Sequence, residues 1–197
     1  ARGNSSLEPN GPGSSTMKAK VTTGATGCVT GKTESQINLE VALKLQEALS
    51  NQGYTVVMCR TSQNVDLSNA QRAQMANEAN ADAFIRIHAN GSEDASVNGA
   101  LTMCQTSSNP YNGELADVCR RLSETILDSL CEATGCQKQH VLETDTMSGI
   151  NWCTVPVTIV EMGYMTNSTE DLAMETEEYQ WKIVQGIANG VDQFFQE

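Results

Sequence analysis

Two histidines, His88 and His140, are all that this 197-residue chain contains, and neither belongs to an HExxH pattern. That excludes the arrangement in which one helix supplies two metal ligands and a general base. None of the seven cysteines, Cys28, Cys59, Cys104, Cys119, Cys131, Cys136 and Cys153, forms a CxxC pair, which removes a zinc ribbon and a thioredoxin-type motif. Their odd count leaves at least one thiol unpaired within the chain. Cys59, Cys104 and Cys153 lie in or beside strand-like segments and read as small buried apolar side chains. No apolar run approaches the ~20 residues that span a bilayer, and no charged-then-apolar leader opens the chain. Basic residues are half as many as acidic ones, 12 against 24, for a formal net charge of -12. Such a deficit argues against a nucleic-acid partner and against binding to an anionic membrane surface. There is no internal repeat and no heptad run.

What is present is an α/β pattern. The stretch from Asp82 to Asn90 runs the apolar, β-favouring residues Phe84, Ile85 and Ile87 directly into His88, and Asn90-Gly91-Ser92 supplies a turn. It reads as a buried strand that ends where open α/β sheets hold their ligands. Upstream, residues 1–32 are rich in Gly, Ser, Thr, Asn and Pro and read as a long surface loop. Thr33 to Gln36 has the form of a capping box. Ile37, Val41, Leu45 and Ala48 then recur at helical spacing, with Glu34 on the same inward face. A strand is expected over 54–60, and a second capping box, Ser68 to Gln71, opens an alanine-rich helix to about Ala79. Ala100 to Gln105 reads as a strand. Leu115 to Leu130 marks a helix that Gly135 can end at its C-cap. Residues 141–150 are polar and ambiguous. Residues 156–164 form another apolar strand, this one reaching Glu161, and a last helix over 177–195 turns Trp181, Val184, Ile187, Val191 and Phe194 or Phe195 toward the core.

Length and alternation together predict a single α/β domain over 1–197, with a loop at 1–32 and the core at 33–197. The sheet is expected to be mostly parallel, with helices on both faces. Glu34, His88 and Glu161 are then candidates to converge at the carboxyl edge of that sheet. Imidazole and carboxylate are suitable zinc ligands, and a glutamate beside a metal can move a proton between water and a leaving amine. An isolated glutamate in a first turn also simply favours the helix dipole, and an isolated histidine is often structural.

Four motifs stand in order along the chain: Glu34 to Leu39 with Ala42 to Leu45, Leu67 to Arg72 with Ala76-Asn77, Arg86 to Asn90, and Val160 to Tyr164 with Asn167. This ordered set resembles the zinc-dependent N-acetylmuramoyl-L-alanine amidases of bacterial cell-wall hydrolases and sporulation lysins. The resemblance implies a six-stranded mixed sheet flanked by helices. It also implies one zinc held by Glu34 and His88, and Glu161 as the catalytic glutamate that activates water. The reaction implied is hydrolysis of the amide between N-acetylmuramic acid and L-alanine of peptidoglycan, by an exported protein acting outside the cell, in the wall. One departure stands out: the family's first strand ends in a Gly-His motif that supplies another zinc ligand, and this sequence has no such strand. That strand and a third histidine ligand are expected upstream of Ala1. His140, in a polar stretch, reads as a solvated loop histidine.

Arg86, Asn90 and Tyr164 are placed beside the substrate cleft. Peptidoglycan is the expected partner, with no nucleic acid and no membrane insertion. The acidic charge gives no hold on anionic wall polymers, which leaves room for a separate anchoring domain or a regulator. Two other readings remain: a member of the same family that binds peptidoglycan or a protein partner without hydrolysis, and a related zinc peptidase, since fold and metal do not fix the substrate.

Overall fold

In the computed structural model, which describes residues 4–196, the chain begins with an antiparallel hairpin, β1 (Asn4–Pro9) and β2 (Met17–Val21). This corrects the loop expected over 1–32, whose first three residues lie outside the described ones. The physical reason is that the hairpin buries no apolar stripe of its own. Contacts far along the chain hold it: Trp152 Nε1 donates to the Pro9 carbonyl at 2.9 Å, and Asn151 Nδ2 donates to that of Asn10 at 3.0 Å.

Both capping segments start helices. Thr33 N donates to Gln36 Oε1 at 3.0 Å at the head of α1 (Glu34–Asn51), which buries Ile37, Val41, Leu45 and Leu49. Ser68 Oγ accepts from Gln71 N at 3.2 Å, and Ser68 N donates to Gln71 Oε1 at 2.8 Å, at the head of α2 (Asn69–Glu78). The strand expected over 54–60 does not form. Those residues find no ladder partner among the described ones, and β propensity needs a paired neighbour to become a strand.

After α2 come β3 (Phe84–Asn90), β4 (Ala100–Cys104), α3 (Ala116–Thr134), β5 (Lys138–Glu143), the single turn α4 (Ser148–Asn151), β6 (Val157–Tyr164), α5 (Ser168–Glu175) and α6 (Glu177–Gln196). Gly135, at φ 73°, ends α3 as expected. Four strands make the main sheet in the order β3-β6-β4-β5. β3 runs parallel to β6 and β4 parallel to β5, while β4 and β6 are antiparallel. The sheet is therefore mixed, as expected, but the six strands divide into a sheet of four and the hairpin, not one sheet of six.

One face of the sheet packs Val160 and Met162 against Leu122 and Ile126 of α3, Ile183 and Ile187 of α6, and Ile37 and Val41 of α1. The other sets Val157, Ile159, Leu101 and Met103 against Ala73 of α2 and Ile150 of α4. Where α6 crosses α3 the backbones come close: a Cβ on Gly190 would lie 2.6 Å from Ile126 Cα. Trp181, expected in the core, is 38% exposed with the Lys44 ammonium 6.0 Å from its ring centre. It falls at the margin of the buried stripe formed by Val184, Ile187, Val191 and Phe194. No described helix is long and apolar enough to cross a membrane.

Candidate active site

Glu34 opens α1, and the loop before it is stitched in place before the side chain does anything. Asp171, buried in α5, accepts from Val29 N at 2.7 Å, Thr30 N at 2.9 Å and the Thr30 hydroxyl at 2.7 Å. Cys28 N donates to the Met165 carbonyl at 3.0 Å, and Glu34 N to that of Ala25 at 2.9 Å. Gly24 sits at φ +79°, and a Cβ there would collide with Glu34 Oε2. The loop therefore closes over the carboxylate, whose Oε2 accepts from Ala25 N at 3.2 Å and Oε1 from Asn38 Nδ2 at 3.0 Å.

β3 brings His88 to the same point. Its Nδ1 lies 2.8 Å from Glu34 Oε1. Burial pushes the Glu34 carboxyl up, but the hydrogen bond and charge of His88, with the Asn38 and Ala25 donors, outweigh it and hold the pKa below the usual value. Glu34 is thus ionised, and Nδ1 is the donor of the pair.

Glu161 comes from β6, in parallel register with His88. Paired residues of neighbouring strands point to one face about 5 Å apart, so the second carboxylate stands beside the imidazole. Glu161 is 9% exposed, and its Oε2 is buried with no hydrogen-bond partner. Burial raises its pKa to about 7; His88 opposes this and the charge on Glu34 adds to it. The two glutamates differ because one carboxylate is fully hydrogen-bonded and the other is not.

All three residues line a cleft of about 870 Å³ that runs along the free edge of β3, with residues 54–60 on its far wall. Arg86 and Asn90 line it too. Arg86 is 8% exposed; its Nη2 donates to Asn69 Oδ1 at 2.8 Å, while Nε and Nη1 have no partner. Asn90 is occupied at the strand end, its side-chain Oδ1 accepting from Gly91 N and its carbonyl from Met165 N, both at 2.8 Å. Tyr164 is not brought to the cleft. It is buried with its hydroxyl donating to Gln139 Oε1 at 3.2 Å. His140 is exposed on β5, a strand and not the expected loop, at the opposite edge of the sheet from His88. Asn38, which holds Glu34, stands in the Glu34–Leu39 motif but carried no assigned role; its signal was the i, i+4 spacing from Glu34.

Imidazole nitrogen and carboxylate oxygen are a donor pair of the kind zinc takes. The two now share a hydrogen bond at 2.8 Å; to hold a metal together they would part and Nδ1 would give up its proton. Among the described residues no cluster of three or more His, Cys, Asp or Glu side chains is arranged to hold a metal ion. Glu161 therefore stands next to the pair, not within a three-donor set.

Residues 12–193 match the family described as N-acetylmuramoyl-L-alanine amidase (Amidase_3). The chain is 32% identical over 165 residues to the uncharacterised protein YqiI of Bacillus subtilis, covering 84% of this chain and 76% of that one. It is 28% identical over 165 residues to the N-acetylmuramoyl-L-alanine amidase LytC of the same organism, covering 84% of this chain and 32% of the longer LytC. The catalytic domain of CwlV, an N-acetylmuramoyl-L-alanine amidase from Bacillus (Paenibacillus) polymyxa, superposes with a TM-score of 0.77 at 27% identity, over 88% of this chain and 90% of that one. With its α/β fold and Glu34, His88 and Glu161 gathered at one sheet edge, the chain belongs to the N-acetylmuramoyl-L-alanine amidase family.

Proposed function

We propose that the protein is a zinc-dependent hydrolase of peptidoglycan that cuts the amide between the lactyl group of N-acetylmuramic acid and L-alanine, and that it works at the cell wall. Family membership supports the reaction and the substrate class. The observation that carries the chemistry is Glu161 Oε2, buried and unpartnered beside the Glu34–His88 pair. An unpaired buried carboxylate is costly, and a proton-transfer role gives it a purpose.

Glu34 and His88 are the residues that would hold the metal. When bound, zinc supplies a Lewis acid that polarises the scissile carbonyl and acidifies water. Glu161 does the rest of the proton traffic. It takes a proton from the attacking water and returns it to the departing nitrogen of L-alanine. The water oxygen ends on the lactyl carbonyl carbon, and the C–N bond breaks. His88 beside it opposes the upward push of burial, which keeps Glu161 from holding that proton too tightly. Arg86 and Asn90 line the same cleft along β3. A chain of net charge -12 has no electrostatic hold on anionic wall polymers, so wall attachment is assigned to a separate anchoring domain or a partner.

A working zinc site takes three protein ligands, and the described residues bring two. That count favours a second reading: a family member that binds peptidoglycan without cutting it. One experiment separates them. The full-length protein is assayed for zinc content and for new L-alanine amino groups released from purified peptidoglycan, with and without a chelator. Metal-dependent release supports the hydrolase. Retention on the wall with neither zinc nor release overturns it in favour of the binding module.

A further inference from the structure

At the foot of α3 the chain brings two thiols together. Cys131 lies in the last turn of the helix, Cys136 just past its end, and Gly135 between them takes the left-handed conformation that turns the chain back. The two Sγ atoms are 3.5 Å apart. Unlike Cys104, Cys119 and Cys153, which are buried, both are half-exposed. Cys136 also lines a recess of about 450 Å³ together with Asn98, Glu170 and Tyr179, so a small molecule can reach it.

We propose that Cys131 and Cys136 form a thiol–disulfide couple, oxidised by low-molecular-weight disulfides to an intramolecular bond that ties the end of α3 to the chain entering β5. Forming the bond brings the two Sγ atoms from 3.5 Å to about 2.0 Å. The partner thiol at Cys131, the Thr134 hydroxyl and the Ala100 amide bring the Cys136 pKa down to about 7 against the effect of burial. The same contact pushes Cys131 up. Cys136 is therefore the attacking thiolate. It displaces one thiol from the small disulfide and becomes a mixed disulfide. Cys131 then attacks Cys136 Sγ, the second small thiol leaves, and the two cysteine protons go to the two departing thiolates. Two electrons pass from the cysteine pair to the small disulfide. Beside the pair, Ala100 N donates to the Gln137 carbonyl at 2.9 Å, so the new bond fastens α3 next to the junction of β4 and β5. The inference rests on thiol geometry and is independent of the hydrolase reading.

The test uses oxidised glutathione on the folded protein, followed by alkylation, trypsin and mass spectrometry. The tryptic peptide of residues 122–138 carries Cys131 and Cys136 and no other cysteine. It is expected to lose two hydrogens, to refuse the alkylating reagent and to regain both thiols on reduction. In the untreated protein Cys136 should alkylate faster than Cys131. Cys131→Ser should stop the reaction at a glutathione adduct on Cys136, which shows that Cys131 is the resolving thiol. A peptide that still takes two alkyl groups after oxidation, or a wild-type protein that stops at the same stable adduct as Cys131→Ser, overturns the proposal.

Discussion

Oε1 of Glu34, the first residue of α1, lies 2.8 Å from Nδ1 of His88, near the end of β3. Fifty-four positions separate them in sequence, and the contact is made by two elements that pack into one core: α1 through Ile37 and Val41, β3 through Ala89 and its ladder to β6. The pair is thus held by the core on one side and by the stitched 24–34 loop on the other, which is the rigidity that a metal site needs in its supporting residues.

Glu34→Gln keeps the shape and most hydrogen bonds but removes the charge, and is expected to weaken zinc binding by at least about tenfold, since even residues that merely support a zinc ligand cost 10–100-fold when changed. Competition with a chromogenic chelator reads this directly. Zinc affinity equal to wild type would remove Glu34 from the ligands.

Much of this was legible in the sequence where local rules and tertiary structure agree. The capping residues Thr33 and Ser68 start helices, and the apolar runs that stop at His88 and Glu161 are strands, because caps and buried strands are specified within a few residues. What was not legible depends on partners far away. The β1–β2 hairpin places no apolar side chain in the buried core and is held by Trp152 and Asn151. Residues 54–60 have strand composition but no ladder to join. Tyr164 follows Glu161 closely in sequence, but three residues along a strand put it on the opposite face, where it turns to Gln139. The convergence of Glu34 with His88 was legible through the family resemblance; Asn38 and the Ala25 amide, which aim the carboxylate, were not.

Glu161→Gln removes the base and leaves Glu34 and His88 in place. Turnover on peptidoglycan should fall by about 10²–10⁴-fold, the usual contribution of general acid–base catalysis, with zinc content unchanged. A variant that keeps near-wild-type kcat would show that another group moves the proton.

Gly24 and Gly31 are both left-handed, at φ +79° and +69°, but only a Cβ at Gly24 meets Glu34; at Gly31 there is open space. Each alanine variant carries the backbone cost of about 1–2 kcal/mol for a left-handed residue. Gly24→Ala is expected to be the less stable of the two and to lose zinc affinity as well, while Gly31→Ala keeps it. Equal zinc binding by both variants would mean that the loop does not position the carboxylate.

The raised pKa of Glu161 also fixes the sign of a stability change in the metal-free protein. A carboxyl with a usual value of 4.5 that sits at about 7 in the fold holds its proton more tightly folded than unfolded. Unfolding free energy then falls as pH rises between those values, because the unfolded chain binds fewer protons there. The stabilisation is complete below 4.5 and is lost as pH rises through about 7. A shift of that size corresponds to about 3 kcal/mol at most. Glu161→Gln does not titrate, so relative to wild type it should gain about 1–3 kcal/mol between about pH 5 and about pH 8. Glu34, with a lowered pKa, pulls stability the other way, but below the usual carboxylate range and so outside this window. Denaturant unfolding with a chelator present, at each pH, measures the gain. A difference between the two proteins that does not change with pH would show that Glu161 ionises in the fold as it does in water.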